Sequence, residues 1–400
     1  MKIIFVALGS YGDLIPMLNA AVFAADHGFQ VELIAYPFFM DFVQARSKRI
    51  KFIGVCTVDM YKKMVQVDKK LSEHHIAAHH FISCSRHAIE PVFAYIEAAE
   101  KAEGCIVVGY TFSPGAAWAA RKFNIPYVRI VLSSADLEVP LSWNEELEKE
   151  KRLIFSEVTE IGEALYRKLG MSGPLNWLIP FQVNLCFFPE VFVSNADTGY
   201  FMDAGKCDFL GFMPKSYSSA NASPDRQIFC NGHEYFLYTS GTVFTSTLSE
   251  YLEFSELCET FGVNGLFVSQ HRDFDASQHF RSYIQVVDYC DLPDAIRGSK
   301  LVISHGGIGT VADAMLAAVP QLVAPKAFDQ FHNARLVNRL GFGLAIEPEN
   351  FSCKAGLALK AAEAIKMADN LGELIGKYKL NQFRGDVFLN TLINLSRGRR

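Results

Sequence analysis

The residues best suited to chemistry crowd into positions 301–340, LVISHGGIGTVADAMLAAVPQLVAPKAFDQFHNARLVNRL. An apolar, β-branched run at 301–303 stops at Ser304-His305-Gly306-Gly307, and a small-residue helix is expected from near Thr310 to just before Pro320. A side chain at Gly306, Gly307 or Gly309 would hold a ligand's oxygens away from the backbone. Without one, free N–H groups and the positive end of the helix dipole form an anion site, most naturally for phosphate, and His305 adds a donor. A strand at 321–324 leads to a second loop carrying Asp329 and Gln330, with His332 and Asn333 expected just before the next helix. Carboxylate and amide groups at a strand's carboxyl end bind vicinal hydroxyls as acceptor and donor. Phosphate on one side and sugar hydroxyls on the other describe a nucleotide sugar.

A second group lies at the amino terminus. A buried strand at 3–8 ends in Gly9-Ser10-Tyr11-Gly12-Asp13, and Leu14, Leu18, Ala21, Val22 and Ala25 then recur at helical spacing up to Gly28. This opening is a Rossmann half, but Gly9-x-x-Gly12 lacks the G-x-G-x-x-G spacing and its acidic partner, so no dinucleotide is read there. By spacing alone Asp13 is either a carboxylate at the mouth of a crevice, able to accept a proton, or the cap of the helix from Leu14. Tyr110, Thr111 and Phe112 end a strand at 105–109, with Ser113 as N-cap and Pro114 as first helical residue, and Ser133 and Ser134 end a strand at 127–132. With Ser10, Tyr11, Phe38, Phe39, Phe81 and Trp143 these loops are expected around Asp13, and their aromatic content suits a lipophilic acceptor. His75 and His79 would share a helix face within the cluster His74, His75, His79 and His80, but HEXXH and a third ligand are missing, so no metal is assigned.

The elements that must hold these groups alternate strand and helix over 400 residues, which is α/β and long enough for two cores. The first domain is read as 1–214. A Ser, Ala, Asn and Pro-rich linker follows at 215–229, then a second domain at 230–382, with 383–400 expected to cross back onto the first. A net charge of −5 argues against nucleic acid as a partner. Nine cysteines without a C-x-x-C pair suggest neither a disulfide framework nor a zinc site, and a reducing cytoplasm fits. The run at the amino terminus has no A-x-A site and reads as a strand, and no stretch approaches the roughly eighteen apolar residues of a membrane span.

HGGIGT, VPQLVAP and FDQFHN, in that order, resemble the donor-binding signature of the UDP-glycosyltransferase superfamily. The resemblance implies a GT-B fold, two Rossmann-like domains facing across a cleft, and an inverting, metal-independent glycosyltransferase. The order of VVG, IPY, LCFFP and SHGGIGT, together with IEPVFAYI, is most similar to bacterial rhamnolipid-type rhamnosyltransferases. GSYGD-x-x-P matches the family's Asp form of the first loop and implies Asp13 as general base toward the acceptor hydroxyl. It further implies that Ser240, Thr242, His305, Gly306, Gly307, Gly309 and Thr310 hold the diphosphate, and that Val287 and Tyr289 lie by the nucleobase. Asp329 and Gln330 would hold sugar hydroxyls, with Asn333 supporting the loop or phosphate. The implied partners are a dTDP- or UDP-sugar and a lipophilic hydroxylated acceptor, with no cofactor, since the nucleotide sugar is a co-substrate. No Asp-x-Asp pair occurs in the donor loops named, so a bridging Mg²⁺ is not implied. The alternatives are a nucleotide-sugar 2-epimerase of the same architecture and a non-catalytic nucleotide-sugar-binding paralogue.

Overall fold

The computed structural model describes residues 2–56, 73–110, 113–136, 138–140, 163–164, 166–171, 183–193, 198–200, 207–214, 229–242, 244–279, 281–326, 329–346 and 354–398. The chain divides into two units, Met1–Tyr217 with Gln382–Arg400, and Ser218–Asn381.

In the first unit β1 (Lys2–Val6), β2 (Gln30–Ala35), β3 (Ile50–Gly54), β4 (Cys105–Tyr110) and β5 (Tyr127–Val131) are apolar runs ended by turn residues. Strands β6 (Glu138–Pro140) and β8 (Thr198–Tyr200) pair antiparallel by themselves. With β7 (Val183–Cys186) and β9 (Cys207–Phe209) the others form one parallel sheet in the order β3-β2-β1-β4-β5-β7-β9. Every residue of β1, β4 and β5 is buried, as central strands covered on both faces require. The order reverses between β1 and β4, so the loops after those two strands splay apart and open a crevice at their carboxyl ends. Helices α1 (Tyr11–Asp26), α2 (Met40–Arg46), α3 (Glu73–Glu103) and α4 (Pro114–Lys122) connect the strands.

The second unit repeats the plan. Strands β10 (Tyr235–Thr239), β11 (Asn264–Val268), β12 (Ile284–Val287), β13 (Leu301–Ser304), β14 (Gln321–Val323) and β15 (Gly343–Ala345) lie parallel in the order β12-β11-β10-β13-β14-β15. The reversal here falls between β10 and β13. Helices α5 (Leu248–Phe261), α6 (Leu292–Gly298), α7 (Ile308–Leu316), α8 (Gln330–Leu340), α9 (Lys354–Lys366) and α10 (Ala368–Lys377) cover the sheet. Alternation along β10 sends Phe236 and Tyr238 into one core with Phe254, Phe267, Ile303 and Leu322, and Leu237 into the other with Leu266, Ala295, Val302 and Ala314. The Tyr238 and Phe267 rings stack at 4.5 Å.

The chain end belongs to the first unit through α11 (Gly385–Arg397). Gly211 has φ +82°, and a Cβ there would lie 2.0 Å from the Gln382 carbonyl oxygen, so only glycine admits the returning strand of backbone. The Arg384 N–H donates to the Leu210 carbonyl at 2.8 Å. Phe383 and Phe388 then close on Phe23 and Phe187, with ring centroids 5.8 to 6.3 Å apart. Among the described residues no helix is long and apolar enough to cross a membrane.

Candidate functional site

Two groups of side chains stand at the two points where strand order reverses, one in each unit. In the first unit α1 begins three residues earlier than its apolar periodicity suggests. Ser10, not Asp13, is the N-cap, and Asp13 is the third helical residue. Ser10 Oγ accepts from the Gly12 N–H at 3.1 Å, while Asp13 Oδ2 accepts from the Ser10 N–H at 2.8 Å and from the Ser10 hydroxyl at 3.1 Å. This reciprocal capping box fixes the carboxylate, half-buried, at the end of β1. A Cβ on Gly9 would sit 2.3 Å from Asp13 Oδ2 and 3.1 Å from the Tyr110 hydroxyl, so the glycine turn brings carboxylate and phenol around one point. Tyr110, at the end of β4, donates to the Leu8 carbonyl.

Aromatic rings following β1 and β2 pack on one another. Tyr11 meets Phe39 and Phe42 edge-on, with centroids 4.8 and 5.0 Å away, and Phe38 packs on Phe39 at 3.9 Å. The Arg46 guanidinium lies 3.3 Å from the Phe42 ring centroid. Ser133 and Ser134 are buried in the wall after β5 rather than presented from it. Ser113 is the N-cap of α4 with Pro114 first in the helix, as expected. Thr111, Phe112 and Trp143 lie outside the described residues. So do the side chains of Phe81, His74, His75, His79 and His80, whose backbone is part of α3.

In the second unit the turn after β13 is built around His305. Gly306 takes φ +86°, where a Cβ would strike Val323 Cγ1 at 2.5 Å. Gly307 is the N-cap of α7 and offers no side-chain cap, and the helix starts at Ile308, earlier than the expected Thr310. Gly309 is exposed with nothing within 4 Å of a Cβ position, and Thr310 is buried. The His305 ring lies between two backbones: a Cβ would come within 2.5 Å of it at Gly241, where φ is +74°, and within 2.8 Å at Gly307. Its Nδ1 is sealed from solvent without a hydrogen-bond partner. Burial pushes the imidazole down to about 4, with the Lys326 charge adding to the shift, so His305 is neutral near pH 7.

The loop after β14 supports this turn. Asn333, fully buried, donates from Nδ2 to the Gly306 carbonyl and to Asp329 Oδ2, each at 2.8 Å. Gln330 Oε1 accepts the Lys326 N–H at 2.9 Å. His332 and Asn333 therefore sit inside α8, not ahead of it, because that helix opens at Gln330 with Asp329 in the N-cap position. Gln330 is buried and Asp329 half-buried, so the more open of the two sugar-hydroxyl candidates is the carboxylate. After β10, Ser240 is also fully buried. Its hydroxyl takes part in a knot with Ser246 and Ser269, Oγ to Oγ 2.8 Å for Ser246 with each and 3.3 Å between the other two. Thr242 is half-buried on the same turn. Val287 and Tyr289 stand two strands away at the end of β12, the tyrosine 60% exposed beside the Arg272–Asp288 pair, N···O 2.6 Å.

Comparison with known proteins bears on the family and the fold. Residues 267–366 match the family model described as erythromycin biosynthesis protein CIII-like, C-terminal domain. The NDP-glycosyltransferase YjiC of Bacillus subtilis (strain 168) is 23% identical over 265 residues, 65% of this chain and 63% of that protein. The chain spans less than two thirds of the length of the curated relatives it matches. Among solved structures, the glycotransferase of kitacinnamycin aligns with a TM-score of 0.75 at 17% identity over 98% of this chain and 99% of its own. The spinosyn rhamnosyltransferase SpnG, complexed with thymidine diphosphate, aligns with a TM-score of 0.63 at 16% identity over 98% and 100%. The chain has the GT-B glycosyltransferase fold.

In this GT-B chain two further groups, outside the sequence motifs, pack beside the loops those motifs single out. Phe244 packs on His305, ring centroids 5.8 Å apart, and Lys326 pairs with Glu250 beside it, Nζ to Oε1 2.7 Å. Thr247-x-x-Glu250 was readable as a capping box, and it forms one. The lysine's pairing joins distant positions and left no local signal. An Asp-x-Asp pair does exist at Asp273-Phe274-Asp275, outside the loops singled out. Asp273 Oδ1 accepts the Leu248 N–H at the start of α5 at 3.1 Å, and Asp275 Oδ1 accepts the Ser277 hydroxyl at 2.7 Å and its N–H at 2.9 Å, so both carboxylates are engaged in holding the fold. Among the described residues no cluster of His, Cys, Asp or Glu is suited to a metal ion.

Proposed function

We propose that this chain is an inverting, metal-independent glycosyltransferase. It moves a sugar from a dTDP- or UDP-sugar to the hydroxyl of a lipophilic natural-product or hydroxy-fatty-acid type acceptor. The observation that carries the reading is the uncapped N-terminus of α7 behind a glycine turn, set beside a neutral histidine. Backbone amides and dipole there suit a diphosphate, and a neutral imidazole can donate one N–H to it without adding charge. As the glycosidic bond forms at the anomeric carbon, the bond to the diphosphate breaks. The charge left on the departing oxygen is taken up by these fixed donors, which need no reorganisation at that moment. Asp329 holds sugar hydroxyls, and Asn333 keeps the Gly306 turn in register with that carboxylate. Ser240 contributes by anchoring the turn that carries Thr242.

On the first unit Asp13 takes the acceptor's proton as the new bond forms. The capping box supports that role by holding the carboxylate in one place. The aromatic edge formed by Tyr11, Phe39 and Phe42 supports an apolar acceptor. The relatives' names, among them a rhamnosyltransferase and an NDP-glycosyltransferase, support the donor class.

Asp13→Asn tests the mechanism. The amide keeps an oxygen for the Ser10 N–H, so the helix start survives while the base is lost. Transfer is expected to fall ~10²- to 10⁴-fold with nucleoside diphosphate binding retained. Undiminished transfer would remove Asp13 from the mechanism, and a product with the donor's own anomeric configuration, read by NMR coupling constants, would overturn inversion.

A further inference from the structure

Lys326 is an unusual place to keep a charge. Its side chain is 10% exposed and its partner Glu250 16% exposed, and hiding such a pair is costly unless the charge has a use. Neither side chain needs the other for local structure. Glu250 Oε2 already completes the cap of α5, accepting the Thr247 N–H at 2.8 Å, and Gln330 already holds the backbone N–H of Lys326 at 2.9 Å. What the pairing achieves is to fix an ammonium group between the loops that follow β10 and β14, near enough to His305 for its charge to disfavour the imidazolium. That group lies 6.0 Å from the Phe244 ring centroid, and the Phe244 ring lies 5.8 Å from that of His305. The turn at His305 itself offers partial charges, from a helix N-terminus, and a neutral histidine.

We propose that Lys326, oriented by Glu250, is the fixed positive charge of the donor site. It compensates the diphosphate of the bound donor and of the departing nucleotide where a divalent cation would otherwise be needed. The inference rests on the donor reading above and adds to it a residue that none of the sequence motifs contains. Glu250 is the positioning residue: one oxygen fixes it to the start of α5 and the other points the ammonium.

Calorimetric titration with dTDP, dTMP, UDP and UMP, in EDTA, tests it. The wild-type chain is expected to bind the diphosphate of one pair more tightly than the monophosphate. Lys326→Met should weaken the diphosphate roughly tenfold or more and the monophosphate by clearly less, and Lys326→Arg should restore most of the difference. Should Lys326→Met not fold, the double variant Glu250→Gln with Lys326→Met removes both buried charges and keeps a Gln able to cap, and the same difference is read from it. Equal loss for both nucleotides, unrescued by arginine, would reduce Lys326 to a structural role, and unchanged diphosphate binding would overturn the inference while sparing the donor site. Failure of the wild-type chain to bind any of the four would instead overturn the donor reading itself.

Discussion

Glycine does two separable jobs in the turn at His305, and single substitutions distinguish them. At Gly241 a methyl group meets both a left-handed backbone and the imidazole at 2.5 Å, so Gly241→Ala should displace the ring. A loss of about 1–3 kcal/mol in denaturant unfolding and weakened dTDP or UDP binding are expected together. Gly309 has an ordinary φ and open space around it. Gly309→Ala should therefore leave folding unchanged or improve it by up to ~1 kcal/mol, since Ala suits a helix better. It should still raise the KM for the nucleotide sugar if ligand oxygens approach that backbone. Unchanged KM with intact folding would remove Gly309 from the donor contacts. Gly306, Gly307 and Gly309 were legible in the sequence as a glycine turn between strand and helix, whereas Gly241, which closes on the same imidazole from another loop, was not singled out. Asn333, expected to support the loop or phosphate, does hold the Gly306 turn, whereas Ser240 and Gln330 were read as ligand contacts and their buried side chains bond within their own loops, which spacing cannot show.

Among the elements, the helices at both sites begin earlier than periodicity indicates, α1 at Tyr11 and α7 at Ile308. The cause is the same in each. Serine and glycine at the cap read as turn, and the first helical turn carries little apolar signal. The strands were plainer, since buried parallel strands are short apolar runs. The closing helix α11 provides the element-scale test. Phe388 is fully buried among Phe23 and Phe187 in the first unit, so Phe388→Ala should destabilise that unit by about 3–5 kcal/mol. In urea, with intrinsic fluorescence and amide exchange as probes, the first unit's transition should move to lower denaturant while that of the second stays in place. A shift confined to the second unit would contradict the assignment of the chain end.

At the scale of the whole molecule, alternating strand and helix over this length made two nucleotide-type halves legible, and both sheets carry the reversed strand order that such halves require. The second half also carries an acid sensitivity. Burial lowers both His305 and His332 to about 4, with Lys326 assisting in the first case and Arg335 and Arg339 in the second. Between pH 6.5 and 4 the unfolded chain binds protons that the folded chain refuses, so stability should rise with pH across that window, by at most about 1.4 kcal/mol per pH unit for each histidine. Unfolding midpoints at pH 4.5 and 7 test this, and His332→Gln should flatten part of the slope.

The claim on which the rest depends is group transfer from an activated sugar, and the most direct measurement is mass analysis of the purified chain incubated with dTDP- and UDP-sugars and a set of lipophilic alcohols. The account predicts an acceptor heavier by one glycosyl residue and a matching release of nucleoside diphosphate, both dependent on the alcohol. Epimerised donor formed without any alcohol, or donors bound and returned unchanged with every acceptor, would contradict it.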